Sequence, residues 1–361
     1  MTATLTDTAS IKRQHLLQAL LQVTPAAGRG ATLPVLTGVR ITIADGHAAI
    51  TATDIELAVT THVPAEGRLD VVVPARLLQK LAQHTVGNIT LKPGDDELTL
   101  QWGTTTAKLR VLPIGDWPRL AVPDGEVVKL FAGDIDRIRH VANYASADDA
   151  RPILTGIRLG AEEVAATDTY RLAIASWTAP ITVEHLDGDV LLPARAIRFL
   201  PTLLASEHAT LTVGEHELMI EAGEVQIRVD RITGEFPPYS RLIPTAALTR
   251  WTFNRAQLVT AVRTAAALCA DSTPVRLSCD DDGHATVQAF TQDVGQVATT
   301  LNVDGDGARL PVTVAFNARY LLDVITTCHG EQVTLELVDA LKPAVVREEP
   351  YTLLLMPVRT S

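Results

Sequence analysis

A stretch that reads as an amphipathic helix occurs three times in the 361 residues: SIKRQHLLQALLQV from Ser10, DIDRIRHVANYA from Asp134 and NRAQLVTAVRTAAAL from Asn254. A strand-like run follows each, TLPVLTGVRITI from Thr32, RPILTGIRLG from Arg151 and TPVRLSCDD from Thr273. The first two runs share Pro-x-Leu-Thr-Gly, at Pro34–Gly38 and Pro152–Gly156. Next come ITATDIELAVTTHV from Ile50 and VAATDTYRLAIASW from Val164, with TVQAFTQDVGQVATTLNV from Thr286 as their third counterpart. A second helix completes the pattern: VPARLLQKLAQH from Val73, LPARAIRFLPTLL from Leu192 and FNARYLLDVITT from Phe316, with Arg76, Arg195 and Arg319 in register. Self-similarity at a period of about 120 residues constrains the fold more than any composition figure, because each copy must build the same unit.

Each copy reads helix, strands, helix, strands. Short alternating runs broken by turn signals, such as PGDD from Pro93 and DDDG from Asp280, predict antiparallel sheet. Two helices packed on such sheets give an α+β fold. The joints fall near Pro123–Lys129 and Pro244–Arg250, dividing the chain into 1–125, 126–248 and 249–361. Apolar residues make up 47% and charged residues 20%, enough for a full core and too apolar for disorder. No apolar run of roughly 18 residues predicts a membrane span, and the opening MTATLTDTASIKRQ lacks the pattern of a secretory leader. Cys269, Cys279 and Cys328 have no CxxC or zinc spacing and are expected to be reduced structural thiols in a cytoplasm.

The net charge of −11 argues, taken whole, against a nucleic-acid partner. Its distribution reverses that. The six helix-like segments hold Lys12, Arg13, Arg76, Lys80, Arg137, Arg139, Arg195, Arg198, Arg255, Arg263 and Arg319 against only Asp134, Asp136 and Asp323. An ordinary surface helix mixes both signs. Arg76, Lys80 and His84 step by four along one helix face. Cationic side chains presented this way suit phosphates. With aromatics at 4% and no Gly-rich cradle, sequence-independent contact with duplex backbone is favoured over single-strand stacking. The same residues also fit a plainer role, as good helix formers whose stems lie along domain edges.

No catalytic constellation is legible. GxSxG, HExxH, GxGxxG and the P-loop pattern are absent. The ten histidines are scattered, and Cys328 and His329, as chain neighbours, point apart. No enzyme activity, cofactor or metal is expected.

ATDTYRLA (Ala166–Ala173), PILTG (Pro152–Gly156), FPPYSRLIP (Phe236–Pro244), FNARYLLDV (Phe316–Val324) and LLLMPVR (Leu353–Arg359) resemble, in order and across essentially the whole chain, the bacterial DNA polymerase III beta subunit, the sliding-clamp family. The resemblance implies three tandem clamp domains forming half of a closed ring. The ring is a head-to-tail homodimer, with sheets outside and helices lining a bore around duplex DNA. It implies a non-catalytic processivity factor, cytoplasmic and nucleoid-associated during replication, opened by a separate ATP-driven loader. Its partners would be duplex DNA of any sequence, a second copy of itself, the polymerase III alpha subunit, the clamp loader and other clamp-motif proteins, with no membrane.

The resemblance further implies a peptide pocket between the second and third domains. It would comprise Leu154, Thr167, Thr169, Tyr170, Arg171, Leu172, Pro237, Arg241, Leu242, Asn317, Tyr320, Leu354, Leu355, Met356, Pro357, Val358 and Arg359. Leucines, prolines and an adaptable Met356 suit an apolar cleft, and Arg171, Arg241 and Asn317 would orient a peptide's polar groups. DNA contact falls to the basic helix residues and to Arg29, on the loop near the first Leu-Pro string. Ring closure falls to sheet edges, with Ala107 in the strand around Ala107–Val111 on one side and Ala267 and Leu268 on the other. The small Ala267 implies a ring that opens more readily than those with a bulkier residue there.

The chain also departs from the family pattern. Thr169-Tyr170 stands where many clamps have Gly-His, and Val358 where some have methionine. Three alternatives therefore stand beside the clamp: a specialised paralogue whose altered pocket confers antibiotic resistance, a peptide-binding repeat scaffold without DNA function, and an enzyme using the inter-domain cleft. Thr167 and Asp168 have a plainer role too, satisfying backbone groups at a strand end, as Asp54 is expected to do in the first copy.

Overall fold

The computed structural model describes residues 8–30, 33–179, 190–199, 208–268, 274–280, 283–292, 294–307 and 313–359. The first third runs β1 (Ala9–Lys12), α1 (Arg13–Val23), β2 (Gly38–Ala44), β3 (His47–Thr53), β4 (Leu57–Glu66), β5 (Leu69–Pro74), α2 (Ala75–His84), β6 (Asn88–Pro93), β7 (Glu97–Trp102) and β8 (Thr105–Arg110). The second repeats that order as β9 (Gly125–Phe131), α3 (Ala132–Ala142), β10 (Gly156–Leu159), β11 (Glu163–Thr167), β12 (Arg171–Ser176), β13 (Val190–Pro193), α4 (Ala194–Ile197), β14 (His208–Gly214), β15 (Glu217–Ala222) and β16 (Val225–Asp230). The third does so with one added strand: β17 (Thr249–Asn254), α5 (Arg255–Ala266), β18 (Val275–Cys279), β19 (His284–Thr291), β20 (Gly295–Asn302), β21 (Asp304–Gly307), β22 (Thr313–Phe316), α6 (Ala318–Thr327), β23 (Gln332–Leu337), β24 (Ala344–Glu348) and β25 (Tyr351–Leu355). The threefold α+β repeat expected from the sequence is present. Cys269 and residues 200–204 of the fourth expected helix lie outside the described residues.

Each copy opens with a strand that sequence reasoning had folded into the helix or the joint. Ser10–Lys12 belong to β1, where Ala9 and Ile11 are buried and both edges are paired, to β4 and to β6. Cross-strand pairing on two sides outweighs helix continuation over so short a segment, so Lys12 ends a strand instead of starting a helix. Lys129, expected in the first joint, lies inside β9 opposite Thr210 of β14.

Contacts group the chain into two compact units that cut across the repeats. One takes the chain to Ile135 together with Arg195–Arg231; the other takes Asp136–Ala194 and the chain from Ile232 onward. The first unit holds a 12-stranded antiparallel sheet, β8-β7-β6-β1-β4-β16-β15-β14-β9, with β3, β2 and β5 branching from β4. The second holds β13-β10-β11-β12-β25-β24-β23-β17-β21 and a separate sheet β20-β19-β18-β22. In each unit one repeat's strand pairs with the next repeat's: Val59 of β4 faces Ile227 of β16, and Leu172 of β12 faces Leu354 of β25.

Local chemistry explains the recurring strings. In Pro-x-Leu-Thr-Gly, Pro34–Thr37 and Pro152–Thr155 form one 3-10 turn each, closed by the threonine hydroxyl donating to the proline carbonyl (2.8 and 2.7 Å). The glycine that follows is closely approached: a Cβ on Gly38 would lie 2.7 Å from Val72 Cγ1, and one on Gly156 2.9 Å from Ile232 Cδ1, so a side chain at either place would push its neighbour aside. The β2–β3 hairpin turns on Asp45-Gly46, both at positive φ, as a two-residue turn requires. Helix α1 buries Leu16, Ala19, Leu20 and Val23, one stripe at helical spacing, over β3 and β4.

Candidate functional site

The polar string in the second repeat is a turn. Between β11 and β12, Thr167 Oγ1 donates to the Arg171 carbonyl (2.7 Å) and accepts the Thr169 N–H (3.1 Å). Asp168 Oδ1 accepts the N–H groups of Tyr170 (2.9 Å) and Arg171 (3.0 Å). The first repeat builds the same device. Thr53 Oγ1 donates to the Leu57 carbonyl (2.8 Å) and accepts the Ile55 N–H (3.0 Å), while Asp54 Oδ1 accepts the Leu57 N–H (2.8 Å). Thr169 (φ +78°) and Ile55 (φ +89°) hold the same left-handed backbone. Thr167 and Asp168 are thus turn chemistry, and the position where glycine would be at ease keeps its shape with threonine in it.

Arg171 corrects the expectation that it faces a peptide. It is 6% exposed. Its Nε donates to Asp168 Oδ2 (2.9 Å), one terminal nitrogen to Asp323 of α6 and the other to the Asn143 carbonyl (2.6 Å). The guanidinium lies over the rings of Tyr144 (5.0 Å) and Tyr320 (4.5 Å), and Tyr170 stacks on Tyr320 with centroids 6.1 Å apart and planes at 26°. Exposure rises along the series, from fully buried Tyr144 to Tyr170 at 56%. The Tyr144 phenol bonds Thr327 Oγ1 (3.1 Å) and is held far above its ordinary pKa by burial; burial, then Asp168, raises that of Tyr320. A buried arginine with two carboxylates and a carbonyl around it is a brace, costly to break. Asn317 is likewise committed: its Oδ1 caps α6, accepting the N–H groups of Arg319 (3.0 Å) and Tyr320 (3.2 Å). Sequence reasoning missed Tyr144 and Asp323. The available signal was an acid standing three residues after Tyr320 on an otherwise basic helix.

All seventeen expected pocket residues fall in the second unit. Leu172 and Leu354 sit in a buried cluster with Phe236 and Tyr239, backed by Ile153 and Ile243. Leu154 and Leu355 are buried too. Past β25 the chain is tied down twice, the Met356 N–H donating to the Tyr170 carbonyl (2.8 Å) and the Val358 N–H to the Ala315 carbonyl (2.7 Å). Over this floor Tyr170, Pro237, Arg241, Leu242 (60%), Met356 (40%), Val358 and Arg359 are exposed, with Thr167, Tyr320 and Pro357 half-buried. No hydrogen bond among the described residues ties Arg241 or Arg359 to the stack. Apolar side chains left in water over a fixed aromatic base are what a short peptide can cover.

The twelve expected phosphate-facing residues divide. Lys12, Arg29, Arg76, Lys80, Arg198, Arg263 and Arg319 are exposed and carry no ion pair among the described residues. On α2 the buried stripe is Ala75, Leu78 and Ala82, leaving Arg76 and Lys80 in solvent. Arg195 is a correction. Its guanidinium is held by Asp54 (2.8 Å) and Glu56 (2.6 Å), so its charge is spent within the first unit. Arg139 pairs with Asp136 (3.2 Å), Arg137 donates to Thr178, Arg13 to the Gln83 carbonyl (3.1 Å) and Arg255 to the Gly330 carbonyl (2.6 Å). Ala267 and Leu268 lie in the turn ending α5 and not on an edge strand; the Leu268 carbonyl accepts Thr291 Oγ1 (2.6 Å). Ala107 does lie on the edge strand β8. Among the described residues no group of three or more His, Cys, Asp or Glu is placed to hold a metal.

Family models for the DNA polymerase III beta subunit match in chain order, the N-terminal domain over residues 8–121, the central domain over 131–238 and the C-terminal domain over 240–359. The beta sliding clamp of Caulobacter vibrioides is 28% identical, aligned over 97% of this chain and 99% of its own. That of Pseudomonas putida is also 28% identical at the same coverage. Among solved structures, the C. crescentus beta sliding clamp superposes with a TM-score of 0.87 at 28% identity, over 98% of this chain and 99% of that one. A sliding clamp from Bartonella birtlesii bound to griselimycin reaches 0.91 at 25% identity, over 98% and 100%. With all three models matched in order along a chain already built from three like folds, this protein belongs to the DNA polymerase III beta subunit family, the bacterial sliding clamps.

Proposed function

We propose that the chain is a DNA sliding clamp: a non-catalytic processivity factor that encircles duplex DNA and tethers polymerases and other partners by a short peptide. What carries the reading is the family match across three consecutive domains. Exposed, unpaired cations on α2, α5 and α6 support a sequence-independent hold on phosphates. The surface of Tyr170, Tyr320, Leu242, Met356 and Val358 is the peptide site, with Arg171 and Asn317 as its framework. The polymerase III alpha subunit and the clamp loader are the partners in view, and the bacterial cytoplasm the setting. The three domains are 1–125, 126–248 and 249–361.

Two sheet edges support a head-to-tail dimer. β8 ends the sheet of the first unit and β20 ends the four-stranded sheet of the second. Pairing β8 of one copy with β20 of the other, twice, would remove both edges and close the ring. The turn around Thr169 matches that around Ile55, so nothing in its geometry favours a specialised, inhibitor-resistant paralogue. Sedimentation tests the dimer. Retention on nicked circular DNA, with loss on linearised DNA, tests encirclement. Equal retention on both would refute the clamp.

A further inference from the structure

We infer that Tyr170 is a built-in occupant of the partner site: its ring covers Tyr320 where a flat side chain of a bound peptide would stack, and partners bind by displacing it. This rests on the peptide-docking reading and adds to it a competitor carried by the chain itself.

The base is rigid. Tyr320 opens α6, its N–H capped by Asn317, and its ring packs on the Arg171 guanidinium, which Asp168, Asp323 and the Asn143 carbonyl hold in place. Tyr170 differs. Its backbone is pinned on both sides, the N–H by Asp168 (2.9 Å) and the carbonyl by the Met356 N–H (2.8 Å), while its ring is 56% exposed and stacked on one side. The ring can therefore leave by side-chain rotation with no change in the turn. The Arg171 cation over the Tyr320 ring draws on its π density, which makes the ring a better platform for a second flat group. Tyr170 supplies that group when no partner is bound. Peptides with an aromatic anchor compete for the same platform, and peptides without one do not regain the lost stack. In the first repeat the residue at Tyr170's place in the turn is Glu56, held by Arg195 (2.6 Å), so the first copy carries no such occupant.

A self-occupied site binds with an affinity reduced by the fraction in which it is free. Calorimetry on the full chain with two synthetic pentapeptides, one ending in Leu-Phe and one in Leu-Ala, tests this. Tyr170→Ala should bind the Phe peptide about three- to tenfold more tightly than the unaltered protein, the worth of one aromatic pair. It should bind the Ala peptide with little gain, and Tyr170→Phe should behave as the parent. Tyr320→Ala should lose the preference for Phe. If Tyr170→Ala binds the Phe peptide equally or more weakly, Tyr170 is a contact or a bystander and the displacement idea is wrong, while the docking site stands. If neither the parent nor Tyr170→Ala binds either peptide, the docking reading itself fails. Thermal melts of each variant separate loss of binding from loss of fold.

Discussion

Arg171 would serve the proposed docking surface as a brace beneath it, without facing a ligand. Every nitrogen of its guanidinium donates inward, to Asp168, Asp323 and the Asn143 carbonyl. Removing it leaves Asp168, 10% exposed, and the half-buried Asp323 without their partner, so Arg171→Ala should destabilise the protein by about 3 kcal/mol, read from urea unfolding. His140 gives a pH dependence. Burial lowers its pKa, with Arg139 and His329 adding to the effect and the Asp136 carbonyl opposing it. The unfolded chain then takes up the proton more readily, so this contribution to stability is complete above the ordinary value of 6.5 and fades as pH falls below it. The drop in unfolding midpoint between pH 7.5 and 5.5 should be smaller in His140→Gln than in the parent. From sequence, the residue types of the site were legible through resemblance, but their duties were not. Arg171 and Asn317 looked like peptide contacts: a string does not reveal that Asp323, far along the chain, closes the first, and the cap that marks the start of α6 does not by itself show that the oxygen of Asn317 is fully committed there.

At the scale of elements, the repeats use their second helices with opposite polarity. On α4 an arginine, Arg195, grips acids of the first repeat's turn; on α6 an acid, Asp323, grips the arginine of the second repeat's turn. Helix extents were legible where a polar cap or an apolar stripe marked them, as for α2, α5 and α6. The opening strands were not, since four residues of alternation carry too little signal before a helix. Sequence likewise counted Arg195 among the free cations, because its acids lie more than a hundred residues away. The exposed pair on α2 remains. Arg76→Glu with Lys80→Glu should weaken DNA association at all sequences alike and flatten the log–log salt dependence by about one to two, in a filter or anisotropy titration. An unchanged slope would place α2 away from phosphate.

For the whole molecule, the proposed closure would bring unlike edges together. β8 carries Lys108 and Arg110, whereas β20 (GQVATTLN) carries no charge. Ala298→Lys with Thr300→Lys, both on exposed positions, sets like charges against β8 of a second copy. The variant should sediment as a monomer at concentrations where the parent is a dimer, with an unchanged thermal melt. A dimer that survived would point to a different pair of edges.

The rungs joining β4 to β16 and β12 to β25 set the spatial modules half a step out of phase with the repeats in sequence. A nick near Pro123 would therefore not free the leading third of the chain. The two fragments would stay zipped along β4, and halves made separately should find each other and reassemble. The copies look interchangeable on paper, but none of them can be lifted out alone.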